Sequence, residues 1–325
     1  MKNYTVRTYE PSDYAQWNAF VSKAKNATFL FHRDFMEYHS DRFFDFSMLV
    51  FEGEKLLSIL PANREGAVVF SHQGLSYGGF VFDSDIKLGK AINVFREMLL
   101  FLNKSGVSFL ELKPVPFFYH DFLSEEIEYA LFLTEAQRIR SDCFCAIDMS
   151  KPYSYTENKK RKVKRGKSHA FSVVETNNFS GFWNEVLIPN LEDKHQVSPV
   201  HNLEEIALLK QRFPNNIRQF NVLYNGKIVA GTTIFETKNV AHAQYISGIP
   251  EFNTMGSIDF LFDHLLQQVY REKPFFDFGI SNENAGKNLN EGLLYWKESF
   301  GARIAMQHFY KIDTSNYTLL ENVYI

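Results

Sequence analysis

Hydrophobic and polar positions in the second half of the chain alternate between strand-like and helix-like spacing. Two apolar runs joined by Asn225-Gly226 predict a β-hairpin, because Asn-Gly is a strong signal for a two-residue hairpin turn. The segment 256–270 places its apolar side chains on one side at helical spacing. From residue 171 onwards, the pattern predicts the element order β-α-α-β-β-β-α-β-α-β.

The first half repeats this order of elements. The stretch VFEGEKLL (Val50–Leu57) aligns with VLYNGKIV (Val222–Val229) at an offset of 222 − 50 = 172 residues. FLELK aligns with FFDFG, with Glu111 opposite Asp277 at an offset of 277 − 111 = 166. RIRSDCFCAID aligns with RIAMQHFYKID at an offset of 165, from 313 − 148. The nearly constant offset predicts duplication of one α/β unit.

The polar stretch around Pro152 reads as a linker between the two copies. We therefore predict two domains, residues 1–152 and 153–325.

Composition indicates an ordered protein with large cores. Of the 325 residues, 45% are hydrophobic, 22% are charged and 33 are Phe. The formal net charge is −3, so any phosphate site must be local. We find no apolar leader and no membrane-length apolar run, and Cys143 and Cys145 are too close along a strand to pair, so we expect a reduced, cytoplasmic protein.

The segment Phe275–Ile304 predicts a buried strand, a loop and a helix. Asn288 and Glu291 have the spacing of a capping box, and Gly301 is a helix stop. An apolar stripe is expected on the inner face of this helix, formed by Leu289, Leu293, Trp296 and Phe300. Lys297 lies directly beside that stripe, an unusual place for a charged residue.

The order of elements resembles the fold of GNAT (Gcn5-related N-acetyltransferase) proteins, and two copies in tandem resemble the Fem-type aminoacyl- and acyltransferases. The matching stretches are LLSILPA with SYGGFVFD, NKKRKVKRGKSHAFSVVET, NGKIVAGTTIF, and FFDFG with GLLYWKESFGA. No sustained heptad pattern matches the coiled-coil arm of the peptidoglycan-bridge ligases. The resemblance implies an α/β (α+β) protein with two GNAT-like domains, each a mixed sheet flanked by helices. It also implies that the second domain, residues 153–325, is the half that binds an activated donor.

The resemblance also gives Lys297 a role. In Fem-type enzymes the matching aromatic–lysine pair, here Trp296 and Lys297, lies by the acyl-transfer centre. There the lysine can stabilise a tetrahedral oxyanion or the leaving group, and Trp296 would contact substrate. The alternative is a lysine that extends along the edge of the stripe and keeps its ammonium in water.

A basic run provides a second candidate site. Seven Lys and Arg residues occur between Lys159 and Lys167, and the four proposed to hold a phosphorylated donor are Lys160, Arg161, Lys164 and Arg165. A solvated helix face is the alternative. By the resemblance, the turn at Gly256 and Ser257 would cradle the pyrophosphate of a CoA donor, although this turn is less Gly-rich than in acetyltransferases.

The histidines suggest substrate contacts and no metal site. His32 opens a predicted helix and His195 follows one, so both are candidates to contact an acceptor, with packed or surface positions as the alternative. His32 and His39 are too far apart for a pair of metal ligands on one helix.

These observations predict transfer of an acyl or aminoacyl group from acyl-CoA or aminoacyl-tRNA to an amine on a small-molecule or peptide acceptor. The alternative is a catalytically idle GNAT duplicate that binds a peptide or cell-wall precursor.

Overall fold

The computed structural model describes residues 4–323, apart from the side chains of Lys194 and His195. The chain forms two compact units. The first unit runs to Asp142 and regains the chain from Met306 onwards, and the second unit is Cys143–Ala305. Among the described residues, no helix is both long and apolar enough to cross a membrane.

Within residues 4–142, the first unit contains four α-helices and seven complete strands. They are β1 Tyr4–Thr8, α1 Tyr14–Val21, α2 Arg33–Met36, β2 Met48–Glu52, β3 Lys55–Leu60, β4 Asn63–Glu65, β5 Val68–Phe70, β6 Val81–Phe82, α3 Leu88–Lys104, β7 Phe109–Leu112 and α4 Glu126–Leu133.

Two sheets and one long helix build this unit. One sheet has the strand order β1-β2-β3-β6, and in the other β5 pairs antiparallel with β4 and parallel with β7. Helix α3 runs for 17 residues and buries Phe95, Met98 and Leu102 in the core of the unit. This helix has the bounds that its apolar spacing predicts.

A long strand, β8 Gln137–Asp148, leads into the second unit. The elements that follow are α5 Glu157–Lys167, β9 Phe171–Thr176, α6 Ser180–Phe182, α7 Ile188–His195, α8 Leu203–Arg212, β10 Ile217–Tyr224, β11 Lys227–Glu236, β12 Val240–Gly248, α9 Pro250–Thr254, α10 Ser257–His264, β13 Phe275–Ile280, β14 Asn282–Glu283, β15 Asn288–Leu289, α11 Glu291–Glu298 and β16 Arg303–Asp313.

The sheet of the second unit has the strand order β8-β13-β12-β11-β10-β9. All neighbours pair antiparallel except β12 and β13, which run parallel. Leu261 and Phe262 of α10 pack with Phe276 and Phe278 of β13 in the core of this unit. A mixed sheet covered by amphipathic helices is the architecture expected from the sequence.

The two predicted hairpins occupy equivalent places. In the first, the register between β2 and β3 shifts between Val50 and Phe51. In the second, the register between β10 and β11 shifts between Val222 and Leu223. The irregularities are 222 − 50 = 172 positions apart, the same offset as in the sequence alignment, so the repeat extends to a local distortion of the backbone.

The last strand of each sequence repeat pairs within the other unit. Asp148 of β8 pairs with Phe275 of β13, and Asp313 of β16 pairs with Phe109 of β7. The compact units therefore divide at Asp142, before the division predicted at residue 152, and the chain after Met306 belongs to the first unit. Exchange of strands between repeats is the physical reason for this difference, and independent folding of residues 1–152 and 153–325 stays a prediction.

Two predicted helices are shorter in the structure. The helix expected from Phe122 begins at Glu126, and Phe122 and Leu123 are exposed. The segment predicted as one helix from His32 to Ser40 is a single turn, Arg33–Met36, followed by a short 3-10 turn. Apolar residues just outside a helix can still fit its 3.6-residue spacing, so the apolar pattern alone predicts a helix that is longer than the real one.

Candidate functional site

A polar cluster lies at the end of β13, inside the second unit. Strands β12 and β13 pair through His242 and Asp277, and β12 then continues to Gly248 while β13 continues to Ile280. The Asp277 side chain has no exposed surface, and His242 Nδ1 lies 2.7 Å from its Oδ2. Its Oδ1 accepts the backbone N–H of Gly279 at 2.7 Å. Both carboxylate oxygens are thus engaged by groups of the same cluster.

Gly279 lies between Asp277, His242 and Lys297. Its φ of +72° lies in the left-handed region, and a Cβ there would lie 3.3 Å from Cε1 of His242. Its carbonyl oxygen accepts a hydrogen bond from Lys297 Nζ at 3.0 Å. A glycine is required because a side chain would be strained by the backbone and crowded by the imidazole.

Lys297 points inward from α11 and is 2% exposed. Its ammonium donates to the carbonyl oxygens of Gly279 at 3.0 Å and Ile280 at 2.5 Å. The geometry differs from a lysine that extends its head into water, which was the alternative interpretation of this residue. A buried ammonium needs such acceptors because removing it from water is costly.

The helix that carries Lys297 begins later than predicted. Asn290 is the N-cap, and its side chain accepts the N–H of Leu293 at 3.0 Å, whereas Asn288 lies in β15. The predicted inner stripe is wrong in part, because Leu289 and Leu293 are exposed while Lys297 is buried. Moving the helix start by two residues takes Leu289 off the helix. The predicted stop at Gly301 is confirmed by its φ of +95°.

Burial sets the charge balance of the cluster. It lowers the pKa of Lys297 to about 8, while the negative character of Cys145 and Asp277 acts in the opposite direction. Burial also raises the pKa of the Cys145 thiol. The spacing of Cys143 and Cys145 along a strand predicts two small residues that face one core. In the structure, the position of Cys145 on β8 brings its thiol beside the Ser281 hydroxyl and into electrostatic contact with Lys297. At neutral pH Lys297 is a cation in a site with little water.

Trp296 belongs to a second cluster, which it forms with Asp259, Lys159 and Phe300. Its indole Nε1 donates to Asp259 Oδ1 at 3.1 Å, and Asp259 forms an ion pair with Lys159. The Lys159 ammonium lies 4.8 Å from the ring centre of Trp296 and 3.8 Å from that of Phe300. Lys159 is the first residue of the basic run in the sequence, yet it is 2% exposed. The substrate contact predicted for Trp296 stays a prediction.

The remaining basic residues lie on α5, next to the start of α10. A Cβ on Gly166 would lie 2.7 Å from the Gly256 oxygen, and a Cβ on Gly256 would lie 2.6 Å from the Lys162 oxygen, so the two backbones are in close contact. Arg165 donates to the Thr254 carbonyl oxygen at 3.1 Å. The structure thus brings together the two regions predicted to bind a phosphorylated donor.

The residues of these two regions differ in their exposure to solvent. Lys160, Arg161 and Lys164 are exposed, and Lys160 pairs with Glu157 at 2.6 Å. Ser257 is fully buried and its hydroxyl donates to Asn253 at 2.9 Å. Gly256 is required by helix packing and by its φ of +90°, which explains this glycine without a ligand. Donor binding by these residues stays a prediction.

The histidines predicted to bind substrate lie apart from the Lys297 cluster in the chain. His32 is half-buried at the start of α2 in the first unit, and burial lowers its pKa. His195 ends α7, and its side chain lies outside the described residues. Within the described part of the chain, no group of three or more His, Cys, Asp or Glu side chains could hold a metal ion.

Comparison of this geometry with solved structures identifies the fold. FemX matches with a TM-score of 0.67 at 10% identity, covering 98% of this chain and 99% of that one. L-PGS from Bacillus licheniformis matches with a TM-score of 0.56 at 10% identity, covering 97% and 96%. A tandem GNAT protein from the clavulanic acid biosynthesis pathway, solved without AcCoA, matches with a TM-score of 0.50 at 10% identity, covering 96% and 99%.

The chain has the Fem-like tandem GNAT fold. The predicted fold class is therefore confirmed. No protein-family model matches the sequence, and no curated protein is similar to it in sequence. At this level of identity the similarity to solved structures concerns the fold, so the chemistry of the site must be argued from the residues of this chain.

Proposed function

We propose that the protein transfers an acyl or aminoacyl group from an activated donor to an amine, with Lys297 as the catalytic cation. The observation that carries this proposal is the position of the Lys297 ammonium, which is buried at the end of β13 against the carbonyl oxygens of Gly279 and Ile280. A cation fixed in a dry site stabilises developing negative charge far better than one in water.

The ammonium has one donor more than those two carbonyl oxygens use. An ammonium carries three N–H bonds, so the third is available for a substrate oxygen. When an amine attacks a thioester or ester, the carbonyl oxygen becomes an oxyanion and the donor then loses a thiolate or alkoxide. Lys297 can stabilise the first of these charges, and its held position means that little reorganisation is needed during reaction.

The exposed basic side chains of α5 favour a phosphorylated donor. Lys160, Arg161 and Lys164 offer cations to phosphate groups, which occur both in acyl-CoA and in aminoacyl-tRNA. FemX and L-PGS share the fold, and we extend their kind of chemistry to this chain as a proposal. The acceptor is an amine on a small molecule or peptide.

Substitution of Lys297 by Met tests the catalytic role. Met keeps an unbranched apolar side chain that suits a helix and removes the charge, so folding should survive while the transfer rate falls by about 10²- to 10³-fold. The assay measures acyl transfer from acetyl-CoA and from a bulk aminoacyl-tRNA pool to methylamine.

Lys113→Met is a matched control. Lys113 is a lysine of the first unit whose ammonium also donates to two backbone carbonyl oxygens, those of Gln73 and Leu75, and burial lowers its pKa to about 7. This variant should keep the wild-type transfer rate. Equal rates for wild type and Lys297→Met would reject the catalytic role, and binding of donors without any turnover would favour a catalytically idle binding protein.

Neutralising the α5 side chains tests the donor site. Replacing Lys160, Arg161 and Lys164 with Gln should weaken donor binding, and wild-type affinity should decrease as salt is added. Arg165 is left unchanged because its guanidinium also holds the Thr254 carbonyl. The control replaces the exposed lysines Lys23, Lys87 and Lys104 of the first unit, for which affinity should be unchanged. Isothermal titration with CoA gives the affinities, and equal losses in both triple variants would contradict a site on α5.

A further inference from the structure

We propose that His242 is the general base that takes the proton of the acceptor amine, with Asp277 as its positioning residue. This inference rests on the proposed acyl transfer and adds a second catalytic group to it. It is carried by the contact of 2.7 Å between His242 Nδ1 and the fully buried Asp277 carboxylate.

The hydrogen bonds fix which imidazole nitrogen is the base. A carboxylate only accepts hydrogen bonds, and its other oxygen already accepts the Gly279 N–H. His242 Nδ1 must therefore carry a proton and donate it to Asp277 Oδ2. In a neutral imidazole this leaves the lone pair on Nε2, the nitrogen that faces away from Asp277.

The His242 imidazole is partly exposed to solvent, while Asp277 is fully buried. The His242 side chain keeps 16% of its surface exposed, whereas that of Asp277 keeps none. Gly279 allows this arrangement, since any larger residue would meet Cε1 of the imidazole, the atom between its two nitrogens. His242 contacts Asp277 and Lys297 contacts the Gly279 carbonyl oxygen, so the proposed base and the proposed cation are both held by one short segment of β13.

The two groups divide the reaction between them. The amine nitrogen forms a bond to the carbonyl carbon of the thioester or ester donor, and the resulting oxyanion is stabilised by Lys297. His242 Nε2 takes the proton that the amine nitrogen loses. As the tetrahedral intermediate collapses, the carbon–sulfur or carbon–oxygen bond of the donor breaks, and the proton on His242 passes to the departing thiolate or alkoxide. No oxidant, reductant or further reactant is required, and the imidazole ends neutral.

His242→Gln tests the base directly. The Gln amide can donate to Asp277, which keeps the buried carboxylate paired, but it cannot accept a proton at neutral pH. With acetyl-CoA or the aminoacyl-tRNA pool as donor and methylamine as acceptor, the transfer rate should fall by about 10²- to 10⁴-fold. The loss should be smaller with hydroxylamine, because its less basic nitrogen releases its proton to water more readily once it has bonded to the carbonyl carbon. His264→Gln, at the end of α10, is the control and should transfer at the wild-type rate.

Asp277→Asn tests the positioning role through the tautomer of His242. The single oxygen of the amide is expected to stay with the Gly279 N–H, so the amide nitrogen must donate to His242 Nδ1. The imidazole proton then moves to Nε2 and the base is lost. Nitrogen-15 NMR should show protonated Nδ1 in the wild type and protonated Nε2 in Asp277→Asn. A purely structural Asp277 would leave Nε2 unprotonated in both proteins.

The outcomes separate this inference from the proposed function. If wild type transfers the acyl group and His242→Gln transfers it equally fast, the base assignment is wrong and the proposed function stands. An equal loss with methylamine and hydroxylamine also overturns the assignment, because it signals a damaged site rather than a missing base. If wild type transfers to neither amine from either donor, the proposed function fails, and the role of His242 fails with it. A wild-type imidazole protonated on Nε2 rejects the base without any assay of transfer.

Discussion

Equivalent strand positions in the two units carry different side chains. In the second unit, β12 and β13 pair His242 with Asp277. In the first unit, the corresponding parallel strands β5 and β7 pair Phe70 with Glu111. Glu111 is partly exposed and lies 4.0 Å from Lys311, an ion pair of ordinary surface type. The imidazole–carboxylate pair is therefore confined to one of these two equivalent positions.

Lys297, the residue that we propose as the catalytic cation, likewise has a counterpart in the first unit that carries no charge. Helix α11 is followed by Gly301, with a φ of +95°, and helix α4 is followed by Glu135, with a φ of +53°. Lys297 and Leu131 each lie four residues before that stop, and both are 2% exposed. The position is buried in both units, but only the second unit has backbone carbonyl oxygens holding a cation there.

This difference shows which features belong to the fold and which to the site. Hairpin irregularities, helix stops and strand register recur in both units, so they satisfy packing and backbone geometry alone. His242, Asp277 and Lys297 occupy recurring positions but carry groups that packing does not need. A buried charge costs stability, and its presence at one of two equivalent positions favours a functional reason.

The largest expected effect comes from placing a lysine in the first unit. Leu131→Lys would bury an ammonium without the carbonyl acceptors that Lys297 has, and it should lower the free energy of unfolding by roughly 3–5 kcal/mol. Phe132→Lys, at a position 76% exposed on the same helix, is the control and should change it by less than about 0.5 kcal/mol. Urea titration measures both. A small loss for Leu131→Lys would mean that the first unit can also hold a cation at this helix position. The two units would then not differ in their ability to bury a lysine there.

The pH dependence of the second unit should separate activity from stability. Burial lowers the pKa of Lys297 from its ordinary value of 10.5 to about 8. Between these pH values the unfolded chain holds this proton and the folded chain has released it, so the contribution of Lys297 to the free energy of unfolding should rise with pH. The transfer rate should fall in the same interval, by about tenfold per pH unit, because the catalytic charge is lost.

Lys297→Met isolates this behaviour from other groups. Lys113 and Lys159 also have lowered pKa values and contribute to stability with the same sign. The difference between wild type and Lys297→Met, measured by urea titration from pH 7 to 10, should therefore show the contribution of Lys297 together with its electrostatic effect on Cys145 and Asp277. A wild-type rate that stays level to pH 10 would argue against a lysine with a pKa near 8 as the catalytic cation.

Local sequence signals predicted most of the fold. Asn225-Gly226 located the hairpin of the second unit, and the apolar spacing of Leu88–Lys104 gave a helix with the observed bounds. The offset between repeats predicted two similar architectures. Exchange of β8 and β16 was not predicted, because pairing between distant strands leaves no trace in local periodicity.

Fewer residues of the candidate site than of the fold could be predicted from local sequence patterns. Lys297 was found because a charge beside an apolar stripe breaks the pattern. His242 was missed because a polar residue alternating with alanines in VAHAQY looks like an ordinary outward-facing strand position, and only the parallel register with β13 reveals its partner. The burial of Lys159 was not predicted, because the local sequence does not distinguish this lysine from the exposed basic residues that follow it. Residues whose roles depend on tertiary partners need the register before they can be assigned.

The smallest expected effect concerns the two hairpin turns, where the units should behave alike. Gly53 has a φ of +60° and Gly226 a φ of +78°, and a Cβ at either position would have no heavy atom within 4 Å. Substitution by Ala therefore adds backbone strain but no steric clash, and each variant should lose about 1–2 kcal/mol in the free energy of unfolding. The two glycines hold different turn positions, because Gly53 aligns with Asn225 at the offset of 172 residues. Asn225 also has a positive φ, of 49°, and positive φ at both Asn225 and Gly226 is the pattern of a type I′ turn. Urea titration of Gly53→Ala and Gly226→Ala gives the two losses directly.

Gly292→Ala near the start of α11, where the nearest heavy atom would be 3.9 Å away, is the control and should be neutral or slightly stabilising. If one hairpin variant lost several kcal/mol more than the other, the two turns would not be equivalent parts of the repeat, and the contrast between the two sites would no longer rest on a shared scaffold.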